Sequence, residues 1–299
     1  MRLTGTQPVR LTRVVLAAGA LAVAVWALAI EPRLLRVRPR ELALPGWSEG
    51  LDGLRVAVLA DLHAGAPPVD ERRLHAIVAK VNAEAPEIVI ILGDFLAHDG
   101  PFEAPLEPEQ VIAPLAALAA PLGVFAVLGN HDWPHGGERL IRAGADAGMR
   151  VLDNEAAKVL RHGRHPLWLA GIADAASRIP DLSMTLGGIV DEAPVLALTH
   201  SPDVFPDVPS RVSLTLAGHT HGGQVRLPLI TRRVVPSRFG DRYLRHHVVE
   251  GGRHLFVSPG IGTVGLPIRF RAPPEVAILT LRRASAAARN LLPSAQRPT

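Results

Sequence analysis

The sequence predicts an α/β protein, a layered sandwich with a mixed sheet, preceded by one N-terminal hydrophobic helix. Three observations predict it. Apolar strand-like runs alternate with amphipathic helical stretches over residues 54–148, and strand-like runs then follow in series. Val14 to Ile30 is an uncharged apolar run of 17 residues. Five of the strand-like runs end in Asp, Asn or His.

The N-terminal run comes first in the chain. As a helix it spans about 26 Å, the short end of what crosses roughly 30 Å of hydrocarbon. An uncleaved membrane anchor is the favoured reading. A secretory signal is a rival, because Arg2, Arg10 and Arg13 precede the run and Ala27-Leu28-Ala29 resembles a small-residue cleavage site. A buried core helix is the third reading. Arginines flank both ends, with Arg33, Arg36, Arg38 and Arg40 following, so the positive-inside rule tilts slightly toward a cytoplasmic C-terminal domain. Residues 1–31 therefore read as anchor or signal, and residues 32–50 as a juxtamembrane linker. Leu34, Leu35 and Trp47 among those arginines suit a stretch lying over anionic lipid, or an ordinary polar linker.

From Leu54 the α/β pattern begins. Arg55 to Ala60 is a short apolar run suited to a buried strand. Asp70 to Ala83 carries Leu74, Ile77, Val78 and Val81 at helical spacing, with Asp70 placed to cap. Glu87 to Leu92 and Gly123 to Leu128 read as strands, with helices near Pro108 to Ala120 and Arg139 to Gly148. Then come strands at Pro166 to Ala170, Val195 to Thr199, Ser213 to Ala217, His254 to Val257 and Val276 to Leu281. Residues 51–282 form the expected catalytic domain, and the Ala-, Arg- and Ser-rich residues 283–299 a fraying tail.

Composition narrows the function classes. The 299 residues are 48% hydrophobic and 20% charged, which excludes a disordered or collagen-like chain. The absence of cysteine excludes a disulfide framework, a zinc finger and thiolate chemistry. A net charge of +4 is mild, and a single tyrosine, Tyr243, gives no stacking platform for single strands, so nucleic acid is not the favoured partner.

The chemistry sits at the strand ends. The runs lead into Asp61-Leu-His63, Gly93-Asp94, Gly129-Asn130-His131-Asp132, Thr199-His200 and Gly218-His219-Thr220-His221. Each alone reads as a turn, a cap or a structural histidine. Together, in an open α/β sheet, they converge on one cleft beyond the carboxyl ends of the strands. Carboxylate, amide and imidazole donors without sulfur suit manganese, iron or zinc. The donors are too many for one tetrahedral ion, whereas two ions bridged by one carboxylate would use them all. Such a pair can activate water and clamp a phosphoryl group.

This five-part pattern resembles the signature of the calcineurin-like metallophosphoesterase superfamily, over about Leu51 to Leu281. The resemblance implies a four-layer αββα sandwich holding two divalent metal ions, Mn²⁺ foremost and Fe or Zn as alternatives. It implies that Asp61, His63 and His221 hold one metal, that Asn130, His200 and His219 hold the other, and that Asp94 bridges them. It implies that His131 contacts the phosphoryl oxygens and helps protonate the leaving group. Many members carry a second Asp three positions after the Gly-Asp aspartate, where this chain has Ala97.

Leu54 to Gly65, Gly218 to Gln224, Ser258 to Thr263 and Leu266 to Arg271 resemble bacterial membrane-associated phosphodiesterases of the superfamily. That branch implies an anchored enzyme at the inner membrane acting on a phosphodiester or pyrophosphate, such as a UDP-2,3-diacylglucosamine-like lipid in lipid A synthesis. A nuclease or cyclic-nucleotide phosphodiesterase, and a non-catalytic scaffold of the same fold, are the alternatives. Arg226, Arg232, Arg233, Arg238, Arg242 and Arg245 follow the last metal motif and read either as a basic rim for a diphosphate or lipid headgroup, with Arg226, Arg232 and Arg233 foremost, or as a solvated arginine-rich loop. Asp174 reads as a strand-end cap or a cleft residue. Asp132 reads as orienting His131 or as orienting a group that supports the ligands from behind.

Overall fold

The computed structural model describes residues 7–284, apart from 99, 105, 229 and 230. In chain order it has α1 (Gln7–Val25), β1 (Arg36–Leu44), β2 (Leu54–Leu59), α2 (Glu71–Ala83), β3 (Ile88–Leu92), α3 (Pro108–Leu115), β4 (Val124–Val127), α4 (Gly137–Asp146) and β5 (Met149–Val151). There follow β6 (Glu155–Arg161), β7 (His165–Gly171), α5 (Leu182–Gly187), β8 (Val195–Leu198), β9 (Leu214–Ala217), α6 (Thr231–Val234), β10 (His246–Glu250), β11 (Arg253–Val257) and β12 (Glu275–Arg283).

The strands form two mixed six-stranded sheets, ordered β1-β12-β2-β3-β4-β5 and β10-β11-β9-β8-β7-β6. Strands β2 to β5 are parallel, as are β7, β8, β9 and β11. Parallel strands buried on both faces explain the unbroken apolar runs in the sequence. Along β2 the side chains alternate, so Val56 and Val58 enter the core between the sheets while Ala57 and Leu59 face the helices. Leu196, Leu198, Leu214 and Leu216 meet Val56, Ile90 and Leu92 across the inter-sheet core. Helices α2, α3 and α4 cover the outer face of the first sheet through Leu74, Ile77, Val111, Ile112 and Leu140. The outer face of the second sheet has a thinner cover, with Val204 and Val208 buried against it and Leu182 and Leu186 of α5 packed on that cluster. The expected αββα layering is therefore present.

The helix starts follow local chemistry. Asp70 caps α2 by accepting a 2.7 Å hydrogen bond from the Arg73 amide. Helix α3 ends earlier than the sequence suggests, at Leu115. There the Asn82 side chain bridges the Ala117 carbonyl and the Ala119 amide, so the next residues form a turn.

Two expectations change. Residues 32–50 are not a free linker: β1 lies within them, pairs in parallel with β12 from Arg36↔Glu275 to Leu44↔Arg283, and is followed by Trp47 in the inter-sheet core. The Trp47 indole donates to the Leu51 carbonyl at 2.9 Å. The tail begins later than expected, because Arg283 ends β12 and Ala284 is buried; residues 285–299 lie outside the described residues.

Helix α1 with the turns after it forms an apolar stretch, Leu11–Arg33, long enough to cross a membrane. Its side chains, including Leu16, Leu21 and Val23, are exposed, so it is not a core helix. Its far end is built into the domain. Ala27 is buried and its carbonyl accepts from the Arg269 amide at 2.9 Å. The buried Glu31 carboxylate accepts from the Trp26 indole at 2.6 Å and the Ala272 amide at 2.7 Å.

Trp47→Ala is expected to destabilise the folded chain by roughly 3–5 kcal/mol through a large cavity. Denaturant unfolding in detergent measures it. A loss within about 0.5 kcal/mol, the usual size for a surface change, would mean that this segment is a linker after all.

Candidate metal centre

Every sequence-expected metal-site residue lies just beyond the carboxyl end of a parallel strand. Asp61 and His63 follow β2, Asp94 follows β3, Asn130 and His131 follow β4, His200 follows β8, and His219 and His221 follow β9. The two sheets bring these ends together. Donor atoms of Asp61, His63, Asp94 and His221 lie within 4.8 Å of one another, and so do those of Asp94, His200 and His219. Asp94 belongs to both groups.

The backbone is bent to achieve this. Among the described residues eleven non-glycine residues have positive φ, and five of them are Asp61, His63, Asp94, His219 and His221. Each such residue costs about 1–3 kcal/mol and persists where the surroundings over-determine it. Glycine permits the close approach: a Cβ at Gly93 would lie 2.5 Å from the Gly129 nitrogen and 2.8 Å from His200 Nδ1.

The electrostatics favour a cation among these donors. His200 Nδ1 donates to the Leu92 carbonyl at 2.7 Å, which turns Nε2 inward. That Nε2 lies 3.2 Å from Asp94 Oδ2 and 3.0 Å from His219 Nδ1. Likewise His63 Nε2 lies 3.1 Å from His221 Nε2 and 3.4 Å from Asp94 Oδ2. Acceptor atoms facing each other at such distances need a proton or a cation between them. Burial lowers His200, but the Asp94 charge and hydrogen bond outweigh it and raise His200 to about 10. Burial raises Asp94, yet the same His200 contact holds it well below the ordinary carboxylate range. Burial pushes Asp61 up to about 7, His63 down to about 3 and His219 down to about 4, and His221 lies well below its ordinary value for the same reason. The imidazoles of His63, His219 and His221 are thus neutral, the form that binds metals. The buried Asn130 Oδ1 and His221 Nδ1 have no hydrogen-bond partner. This donor set fits two divalent cations sharing Asp94.

Asp132 proves to be the keystone of the loops. Its carboxylate accepts from the amides of Asp94 at 2.8 Å, Phe95 at 2.8 Å, Leu96 at 3.1 Å and Gly129 at 2.9 Å. It therefore orients the Asp94 loop rather than the His131 ring. Burial, then the Asp94 charge, raises it to about 7. The His131 amide donates to Asp94 Oδ1 at 2.9 Å, and its ring stands edge-on to His63 at 4.9 Å. Burial lowers the His131 pKa.

Sequence reasoning missed His98, whose ring lies 4.8 Å from His131 and whose Nδ1 bonds the Glu103 carboxylate at 2.8 Å. Only the spacing of two polar residues in an irregular loop marked it. Asp174 behaves as a cap: its Oδ2 accepts from the Ala176 and Ser177 amides and the Ser177 hydroxyl.

A cavity of about 430 Å³ opens on the centre. Asp94, Asn130, His131, His219 and His221 line it, together with the apolar Val225, Val264, Leu266 and Ile268. A polar hollow of about 750 Å³ with Asp181, Asp203 and Asp207 shares the His219 wall. Of the expected basic rim, Arg238 alone among the described side chains lines either of these, in the polar hollow. Arg226 and Arg232 line a separate hollow of about 420 Å³ with Asp241, because the Arg226 guanidinium is drawn to the Arg271 carbonyl at 3.1 Å. Arg233 lies in α6, and its side chain is outside the described residues.

A family model described as calcineurin-like phosphoesterase matches residues 54–223, which hold every one of the donors above. The chain belongs to the calcineurin-like phosphoesterase family. A Bacillus subtilis protein named as an uncharacterised metallophosphoesterase, YkuE, is 29% identical over 89% of this chain and 93% of its own length. A Danio rerio transmembrane protein with a metallophosphoesterase domain is 30% identical over 82% of this chain, which spans 56% of that longer protein. Among solved structures, the NAD nucleotidase of Haemophilus influenzae matches with a TM-score of 0.46 at 13% identity, over 71% of this chain and 45% of that one. As a calcineurin-like phosphoesterase the chain is a hydrolase of phosphoric esters with a candidate dinuclear centre.

Metal analysis of the full chain in detergent, supplied with manganese, is expected to find about two ions per molecule. Asp94→Ala should bring that below one, because both groups of donors lose a member. His98→Ala should leave it unchanged. Two retained ions in Asp94→Ala would contradict a shared carboxylate.

Proposed function

We propose that this phosphoesterase hydrolyses a phosphodiester or pyrophosphate bond of a substrate with a lipid portion, while anchored in a bacterial inner membrane by residues 7–33. The observation that carries the reading is the 430 Å³ cavity, whose lining combines the polar Asp94, Asn130 and His131 with the apolar Val264, Leu266 and Ile268. An amphiphile such as a UDP-2,3-diacylglucosamine-like lipid matches that combination. The end of the apolar helix supports it, since Ala27 bonds to Arg269, one residue from the cavity wall at Ile268. Cleavage near Ala29 would strip Ala27 from this contact, which favours an uncleaved anchor. The domain is assigned to the cytoplasmic side on the arginine count alone.

In this reading Asp61, His63 and His221 would hold one ion, Asn130, His200 and His219 the other, and Asp94 would be shared between them. Two such ions, Mn²⁺ foremost, would supply Lewis acidity and neutralise phosphoryl charge. The protein does the rest. Asp132 fixes the Asp94 loop, and the His200 Nδ1–H···O bond to Leu92 fixes the imidazole that faces the site. His131, on the cavity wall, contacts a phosphoryl oxygen and passes a proton to the leaving oxygen. The negative charge of bound substrate raises its proton affinity against the lowering effect of burial.

Chelation is expected to abolish hydrolysis of bis-p-nitrophenyl phosphate, and Mn²⁺ to restore it. His131→Ala should keep its metals and lose roughly 10²–10⁴-fold in turnover on an alkyl diester. Its loss on a nitrophenyl diester should be much smaller, because that leaving group needs no proton. Equal losses on both would remove the proton-transfer role.

The membrane part is tested with a chain starting at Glu31, which keeps β1 and the Glu31 contact. It should leave the membrane fraction and lose rate on UDP-2,3-diacylglucosamine in mixed micelles, while keeping its rate on the soluble diester. Unchanged rates on both substrates, or no cleavage of the lipid diphosphate, would leave only a soluble-substrate diesterase.

A further inference from the structure

The even-numbered side chains of β1 share one face of the strand. At its inner end Leu42 and Leu44 enter the inter-sheet core. At its outer end Arg36, Arg38 and Arg40 line a pocket of about 380 Å³, which Arg245, His246 and Arg271 complete. Five arginines thus meet in one hollow from three distant parts of the chain.

Among the described residues that line it the one carboxylate is Glu275, and that group is already engaged. Arg40 Nη2 donates to both of its oxygens, at 2.8 and 2.9 Å, and His246 Nε2 lies 3.5 Å away. Among the described residues Arg36, Arg38, Arg245 and Arg271 have no ion-pair partner. Burial and the charges of Arg226 and Arg40 depress the Arg245 guanidinium. Two residues of the wall, His246 and Arg271, are held at φ of 63° and 60°, so the backbone is bent to bring these side chains here. Gathering like charges without a counter-charge is unfavourable, and an incoming anion relieves it. Guanidinium forks match phosphate oxygens two at a time.

The pocket's place selects the anion. Arg36 comes three residues after the apolar stretch ends at Arg33, and its amide bonds the Pro274 carbonyl at 2.9 Å. The neighbouring Ala272, which lines the pocket, bonds Glu31 at the end of that stretch. We propose that this pocket binds the phosphate-bearing headgroup of an anionic membrane lipid, separately from the catalytic cavity. The proposal rests on the membrane-anchored reading above. Such a contact fixes the tilt of the domain on the bilayer. It also presses on the metal centre's frame, because Pro259 forms part of the pocket wall and its carbonyl accepts from Arg269, as does that of His221.

The test uses the full chain in neutral detergent and native mass spectrometry. The probes are dioctanoyl phosphatidylglycerol, dioctanoyl phosphatidylcholine and inorganic phosphate. Wild type should take up one phosphatidylglycerol with clear preference over phosphatidylcholine. The exposed double variant Arg38→Gln with Arg271→Gln should bind it at least about tenfold more weakly, as expected for two lost charge-assisted contacts. Inorganic phosphate bound as tightly as the lipid, with the same loss in the variant, would make this a free-anion site and overturn the lipid assignment. No difference between variant and wild type would overturn the pocket. Carbonate extraction of the full chain from membranes is read separately. Release by carbonate would refute the anchor, whatever the pocket binds.

Discussion

One carboxylate sets the terms for this molecule. Asp94 Oδ2 faces His63 from its own sheet and His200 from the other, at 3.4 and 3.2 Å. Holding three buried acceptors that close requires strand ends aimed at one point, since a side chain on a flexible loop would swing away. The requirement spreads outward. Five residues adopt left-handed backbone, Gly93 and Gly129 let the chains touch, and Asp132 gathers four amides to freeze the loop. The two apolar cores around the first sheet supply the stability against which this strain is held.

Much of this was legible in the sequence, for identifiable reasons. Strands β2, β3, β8 and β9 are buried on both faces, so each reads as an unbroken apolar run, and the polar residues that end each run stand out. The ligand set needed only order and type. Strand β1 was hidden because it is an edge strand. Its outer residues alternate Arg, Val, Arg, Pro, Arg, which resembles a charged linker until β12 is seen beside it. His98 and the true positions of Arg226 and Arg232 were hidden for another reason. They sit on irregular segments whose direction is set by contacts such as Arg226 to the Arg271 carbonyl, and no periodicity records those. Asp132 was visible as a residue but not as a loop anchor, because amide acceptors leave no trace in spacing.

Arg269 joins the two halves of the functional reading. Fully buried, its guanidinium donates to the carbonyls of Gly262, Pro259, His221 and Ala272, and burial lowers its pKa to about 10. Its own amide holds the end of the apolar helix at Ala27. Four carbonyls satisfied by one planar group define a fixed corner, and a lysine has neither the reach nor the fork to replace it. The end of the apolar helix and the turn that carries His221 are therefore both tied to this one residue.

The pairing of β1 with β12 also sets an order of assembly. Arg40 and Glu275 lie 235 positions apart, so β1 leaves the ribosome long before its neighbour exists. At ~5–20 residues per second the wait is on the order of tens of seconds. During that time β2 to β5 have local partners and can associate, while β1 has none. Its composition suits the wait: three arginines and Pro39 within its first five residues discourage pairing with a stray strand from another chain. β12, made after every other described strand, then closes the sheet against β1, so the domain is sealed only after the rest of its core has been made.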